Sequence, residues 1–171
     1  MALDHSLVGG PGEPLERSAA VTSPDPVVNI FGWSRLDDQV LLADASLAMA
    51  MASAGADCLI DLRAETKPPR LPITIEHFPI EDLMPGQEDL ILAAARRVRE
   101  LTDQGLTVGI YCQAGVSRTS TVAIAYLVLG GMPLADALAH VRRIRPQAMP
   151  ALELYHSLER LAGVEEASGA S

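Results

Sequence analysis

Cys112 and Arg118, with Gln113, Ala114, Gly115, Val116 and Ser117 between them, have the types and spacing to do chemistry. The thiol stands at the end of an apolar run, and the arginine stands where helix formers begin. A tight loop leading into a helix turns several backbone N–H groups toward its concave side, and the helix start adds about half a positive charge. Such a loop cradles an oxyanion. Gly115 permits a backbone conformation that a side chain would obstruct, and Arg118 can present its planar fork to two phosphate oxygens at once. The same field favours the thiolate of Cys112, which makes the sulfur a nucleophile. Thr119 could donate its hydroxyl to that sulfur when it later leaves phosphorus. A cysteine six positions before an arginine is weak evidence alone. The glycine, the flanking Ser117 and Thr119, the preceding strand and the following buried helix supply the context that makes it strong.

The elements around the segment follow from periodicity. Val27–Phe31 is short and β-branched, a strand, and the Ala/Leu/Met stretch from Asp37 to Ala54 favours a helix closed by Gly55. Cys58–Leu62 and Ile73–Ile80 read as strands, the second by alternation, with a Pro68-Pro69 loop between them. Leu90, Ile91, Ala94, Ala95, Val98 and Leu101 recur at helical spacing within 87–104. Leu106–Tyr111 is a strand, and Arg118–Leu129 is a helix apolar all round, hence buried. Two amphipathic helices follow, with stripes at Leu134, Ala137, Leu138 and Val141 and at Leu152, Tyr155, Leu158 and Leu161. Strands separated by helices predict an α/β class: a central, mostly parallel sheet of four to five strands with helices on both faces. The expected organisation is a tail over 1–26, one catalytic domain over 27–162 and a second tail over 163–171.

The segment resembles the signature of cysteine-dependent phosphatases of the dual-specificity and tyrosine phosphatase superfamily: Cys, five residues, Arg, then Ser or Thr. Cys112, Arg118 and Thr119 match it. Asp82, in Phe78-Pro79-Ile80-Glu81-Asp82-Leu83-Met84-Pro85, is similar to the family's acid loop, Arg142-Arg143-Ile144-Arg145-Pro146 resembles its Arg-rich helix end, and Trp33-Ser34-Arg35-Leu36 resembles its early segment. The resemblance spans about residues 28–160 and implies the compact dual-specificity type. It implies a phosphomonoester hydrolase acting on phosphotyrosine and phosphoserine or phosphothreonine in proteins through a cysteinyl-phosphate intermediate. Cys112, Arg118, Asp82 and Thr119 would be catalytic, and residues 113–118 would hold the phosphate. Leaving-group protonation needs a movable carboxylic acid; sequence chemistry alone splits that role evenly between Glu81 and Asp82, and the family spacing favours Asp82. Two departures stand out. Tyr111 replaces the histidine usual before the nucleophile, and Ala151 follows Pro150 where the family often has asparagine.

Composition narrows the alternatives. The 171 residues carry 13 basic against 22 acidic side chains, a net charge of −9, with 49% hydrophobic residues, and 27–162 alone carries 12 basic against 16 acidic. That balance disfavours nucleic acid, including RNA 5′ ends, and anionic membranes as partners. No signal peptide or membrane span is visible, so a cytoplasmic location is expected, without stable membrane association. Two cysteines and four scattered histidines supply no metal ligand set, and no cofactor is expected. Gln113, Ala114, Val116 and Ser117 include no lysine, whereas members of the family this chain resembles that act on multiply phosphorylated inositol lipids tend to have basic residues there, which weighs against such a substrate. A pseudophosphatase that binds phosphate without turning it over is the main rival.

Other residues read more plainly. Arg142, Arg143 and Arg145 suit a helix C-terminus, with a loop-bracing role as the alternative. Lys67 and Arg70 read as solvated, and Trp33 as core edge. Asp61 orients a loop or simply ends a strand. Cys58 is a buried small hydrophobe, with a regulatory disulfide to Cys112 as the lesser possibility.

Overall fold

The computed structural model describes residues 32–169, so the expected tail 1–26 and strand Val27–Phe31 lie outside the described residues. One sheet contains β1 (Ser34–Arg35), β2 (Val40–Asp44), β3 (Cys58–Arg63), β4 (Thr74–Ile80) and β5 (Val108–Cys112), in the order β1-β2-β5-β3-β4. The first pair is antiparallel and the rest are parallel. The helices are α1 (Ala48–Ser53), α2 (Glu88–Asp103), α3 (Arg118–Leu129), α4 (Leu134–Ile144) and α5 (Leu152–Gly169). This is the expected α/β architecture. α1 packs on one face of the sheet, α2 and α3 pack on the other, and α4 and α5 pack on α3. α5 continues across the 163 boundary to Gly169. Among the described residues no helix is long and apolar enough to cross a membrane.

The helix expected over Asp37–Ala54 is corrected. Asp37 Oδ1 accepts from the N–H groups of Gln39 and Val40, both at 2.8 Å, which turns the chain between β1 and β2. Val40, Leu41, Leu42 and Ala43 then form a strand with no solvent exposure on either face. A strand buried on both sides loses its alternation and reads as a plain apolar run. Its pairing with β1 and β5 outweighs the weak helix preference of Leu and Ala. Only Ala48–Ser53 of the expected helix is α-helical.

Alternation along β5 organises the interior. Val108, Ile110 and Cys112 face the large core under α2 and α3, whereas Tyr111 faces Leu41, Leu59 and Met51 under α1. Gly109 is required by that packing: a Cβ there would lie 2.6 Å from Leu59 Cδ2 and 3.0 Å from Met51 Sδ. α3 starts directly behind the loop that follows β5, and residues 118–125 of it are all buried. Fully burying a side chain such as Val122 or Ile124 contributes about 1.5–3 kcal/mol, which fixes the helix on which the loop depends.

Candidate functional site

Ligand crevices of parallel sheets open at the carboxyl ends of the strands. Here β5 ends at Cys112, Glu65 lies two residues beyond β3, and Asp82 lies two residues beyond β4. These side chains line one cleft of about 700 Å³ together with Leu83, residues 113, 114 and 116–118, and the segment from Met149 to Leu152. Cys112 is at its floor, 2% exposed. Asp82 is in this cleft, and Glu81 lines the neighbouring one with Ala64, Glu65 and Asp82.

The loop 113–117 is held by its carbonyl oxygens from outside. The Gly115 carbonyl accepts from Arg145 Nε at 2.7 Å, and that of Val116 from the Met149 N–H at 3.0 Å and the Ser120 hydroxyl. The Ser117 carbonyl accepts from the Thr121 N–H and hydroxyl, both at 2.9 Å. In a trans peptide the N–H points away from the C=O, so these bonds turn the N–H groups toward the concave side. Gly115 has φ +64°, and a Cβ there would meet Arg145 Nη2 at 2.5 Å and the Ala43 carbonyl oxygen at 2.6 Å.

Arg118 is 5% exposed. Its Nη1 and Nη2 donate to the two carboxylate oxygens of Glu65 at 2.6 and 2.9 Å, and Nη1 also reaches the Ile80 carbonyl at 3.2 Å. The guanidinium holds the Glu65 carboxyl down at about 2, and Glu65 in return raises the arginine. Arg118 Nε is buried without a hydrogen-bond partner, 3.8 Å from Asp82 Oδ2. A buried donor left unpaired costs about 1–3 kcal/mol, so this nitrogen is poised for an acceptor entering the cleft.

Asp82 Oδ1 accepts from the Ser117 hydroxyl at 2.7 Å, and Ser117 Oγ accepts from the Ala151 N–H at 3.0 Å. One hydroxyl therefore ties the loop after β4, the loop 113–117 and the segment after α4 together. The Thr119 hydroxyl points to the Ala43 carbonyl at a long 3.4 Å. Among the described residues no group of three or more His, Cys, Asp or Glu is arranged to hold a metal ion.

The dual specificity phosphatase catalytic domain matches residues 44–162. The chain belongs to the dual-specificity phosphatase family. Human dual specificity phosphatase 28 is 30% identical over 161 residues, which cover 88% of this chain and 86% of that protein. The crystal structure of human DUSP28 has a TM-score of 0.72 at 22% identity, covering 79% of this chain and 99% of that one. That of a mouse putative dual specificity phosphatase, complexed with zinc tungstate, has a TM-score of 0.74 at 21% identity over 86% of this chain and 93% of that one. Identities this low speak for the fold alone.

In this member of the family the two departures have structural counterparts. Tyr111 is fully buried and donates to Asp61 Oδ2 at 2.9 Å. Asp61 pairs with Arg63 at 2.7 Å, and the Arg63 guanidinium lies 5.4 Å from the Tyr111 ring centre. Burial and the Asp61 carboxylate push the phenol well above its ordinary range. This network is on the α1 side of the sheet, opposite Cys112. At the second departure, after Pro150, the bracing that is seen comes from backbone: the N–H groups of Met149 and Ala151 donate to the Val116 carbonyl and to Ser117 Oγ.

Arg145 is the loop brace and not a solvated cap. It is 2% exposed, and burial lowers its pKa. Its Nη1 reaches the Gly32 carbonyl and Ser34 Oγ, both at 3.2 Å. Sequence reasoning missed Glu65; its signal is a carboxylate just past a strand on the edge where Cys112 also lies. The disulfide alternative is corrected by register. Cys58 pairs with Val108 across β3 and β5, four residues from Cys112, a separation of about 13 Å at the rise of a strand, beyond the ~7 Å a disulfide spans. Burial pushes the Cys58 thiol up, toward an inert neutral group.

Proposed function

We propose that this chain is a metal-independent phosphomonoester hydrolase that dephosphorylates phosphotyrosine and phosphoserine or phosphothreonine in proteins. The observation that carries this reading is the unpartnered Arg118 Nε, in the same cleft as Cys112 and a loop whose carbonyls are bound outside it. Substrate phosphate would take Nε and the loop N–H groups with its three equatorial oxygens, and these donors hold the charge through both steps. Cys112 Sγ attacks phosphorus as the ester P–O bond breaks, and Asp82 gives its proton to the leaving oxygen. Asp82 then takes a proton from water, the hydroxide attacks phosphorus, the P–S bond breaks and inorganic phosphate leaves. We assign Thr119 to the sulfur in this second step, its proton being only weakly held by the long contact to Ala43.

A second reading, a binding module with little turnover, is favoured by Tyr111 in place of the usual histidine. Hydrolysis of para-nitrophenyl phosphate separates the two. Turnover resistant to EDTA, abolished in Cys112→Ser and competitively blocked by vanadate supports the hydrolase. Vanadate binding without turnover supports the module, and neither binding nor turnover sinks both.

A further inference from the structure

The mouth of the cleft combines apolar and acidic side chains. Leu83, Met149 and Leu152 line it and are exposed to 70, 64 and 65%. They are three of the five exposed large hydrophobics among the described residues. Isolated exposed apolar side chains need no account, whereas three gathered around one cleft mark a contact surface. Leu83 also has φ +59°, a left-handed conformation that costs a residue with a side chain about 1–2 kcal/mol, so strain is accepted where an apolar side chain faces outward. The same cleft and the adjoining one also carry Glu65, Glu81 and Asp82. Arg118 is the one cation among the described residues lining either cleft, and its fork is already taken by Glu65. Lys67 and Arg70 line neither.

We propose that these side chains select the residues flanking the phosphate: an aliphatic or aromatic side chain against Leu83, Met149 and Leu152, and a lysine or arginine against Glu81. Acidic neighbours, a second phosphate included, are rejected by the same carboxylate. The inference rests on the cleft being a phosphoresidue site and adds which protein segments it takes.

The test measures binding of fluorescent phosphotyrosine peptides to the full-chain Cys112→Ser variant, which reports recognition whether or not the wild type turns over. Peptides carry Leu on one side of phosphotyrosine and Lys or Glu on the other, in both orders, beside a Ser-flanked control. The Leu/Lys peptide in its better order should bind about 5–10-fold tighter than its Leu/Glu counterpart, the size of one or two exposed charge contacts. Adding Glu81→Lys should invert that ratio, and adding the neutral Leu152→Ser should erase the advantage of Leu over Ser at unchanged charge ratio. Equal affinity for Lys and Glu peptides, within twofold in both backgrounds, overturns the proposal. If para-nitrophenyl phosphate is hydrolysed in a Cys112-dependent way while peptides go undiscriminated, only this inference fails. If no phosphopeptide binds and nothing is hydrolysed, the phosphatase reading fails with it. Tighter binding to vesicles of phosphatidylcholine with phosphatidylinositol phosphate than to any peptide also overturns it.

Discussion

Arg145 lies behind the loop and donates from Nε to the Gly115 carbonyl oxygen at 2.7 Å. The two residues lie 30 positions apart in the chain, and the bond holds the loop from its convex side. Replacing Arg145 by Met leaves that carbonyl, and Ser34 Oγ behind it, without their donor. A buried acceptor left unpaired costs about 1–3 kcal/mol. Arg145→Met is therefore expected to lower stability by that amount in urea titration and to weaken vanadate binding at least about tenfold. Vanadate affinity equal to wild type would mean that the loop holds its shape without this brace.

Gly115 faces the same guanidinium from the other partner's side. Its φ of +64° is left-handed, and an added Cβ meets the Arg145 Nη2 and the Ala43 backbone at distances no real contact tolerates. The backbone oxygen cannot give way as a flexible side chain would. Gly115→Ala is expected to abolish vanadate binding and to lower stability by about 2 kcal/mol or more. A folded variant that binds vanadate normally would show that the loop relaxes around the methyl group.

Tyr111 and Cys112 are neighbours in sequence and face opposite sides of the sheet. Tyr111→Phe removes the hydroxyl that donates to the fully buried Asp61, leaving Arg63 as the carboxylate's side-chain partner. The expected cost is about 1–3 kcal/mol, a fall in Tm of roughly 2–12 °C for a chain of this size. Because the hydroxyl is remote from the sulfur, the rate at which iodoacetamide alkylates Cys112 should stay within twofold of wild type. A large change in that rate would place the hydroxyl in the sulfur's electrostatic environment after all.

Parts of the site were legible because they are contiguous. The thiol, the glycine-bearing loop, the arginine and the buried helix form one unbroken segment from Tyr111 to Leu129, and each has a local reason to be what it is. The fold class followed from the order of the periodic segments, and α3 has the bounds that the pattern predicts. What escaped were relations across the sheet. Glu65 meets Arg118 across 53 residues, and Arg145 meets Gly115 across 30. Neither pairing has a local signature, since register and the placement of α4 bring the groups together. β2 escaped for another reason: burial on both faces erased the period that would distinguish it from helix.

Glu65 gives the site a pH signature. Its carboxyl is held at about 2 by the Arg118 fork, against an ordinary value of 4.5. A depressed folded-state pKa contributes stability that is present above the unfolded value and lost as pH falls toward the folded one. The loss should therefore run between about pH 4.5 and 2. Glu65 is about half exposed, 47%, so solvent screening brings the contribution down to about 1 kcal/mol. Wild type should exceed Glu65→Gln by that amount at pH 6, and the two should converge by pH 2 in urea titrations. A constant difference across that window would assign the stability of the pair to something other than charge.

Asp82 and Glu81 are adjacent, but only Asp82 also lines the cleft that holds Cys112. Asp82 Oδ1 is tied to Ser117 and its Oδ2 stands 3.8 Å from Arg118 Nε, beside the place where a phosphate oxygen would bind. Glu81 lines the neighbouring cleft away from Cys112. If Asp82 protonates the leaving oxygen, its removal should matter in proportion to how poorly that oxygen carries negative charge. Asp82→Asn is therefore expected to slow phenyl phosphate hydrolysis by about 10²–10³-fold and para-nitrophenyl phosphate hydrolysis far less. Glu81→Gln should leave the ratio between these two aryl phosphates as it is in wild type. The reverse pattern, with the leaving-group dependence appearing in Glu81→Gln and absent from Asp82→Asn, would move the general acid to Glu81 and require the loop carrying both to rearrange on binding substrate.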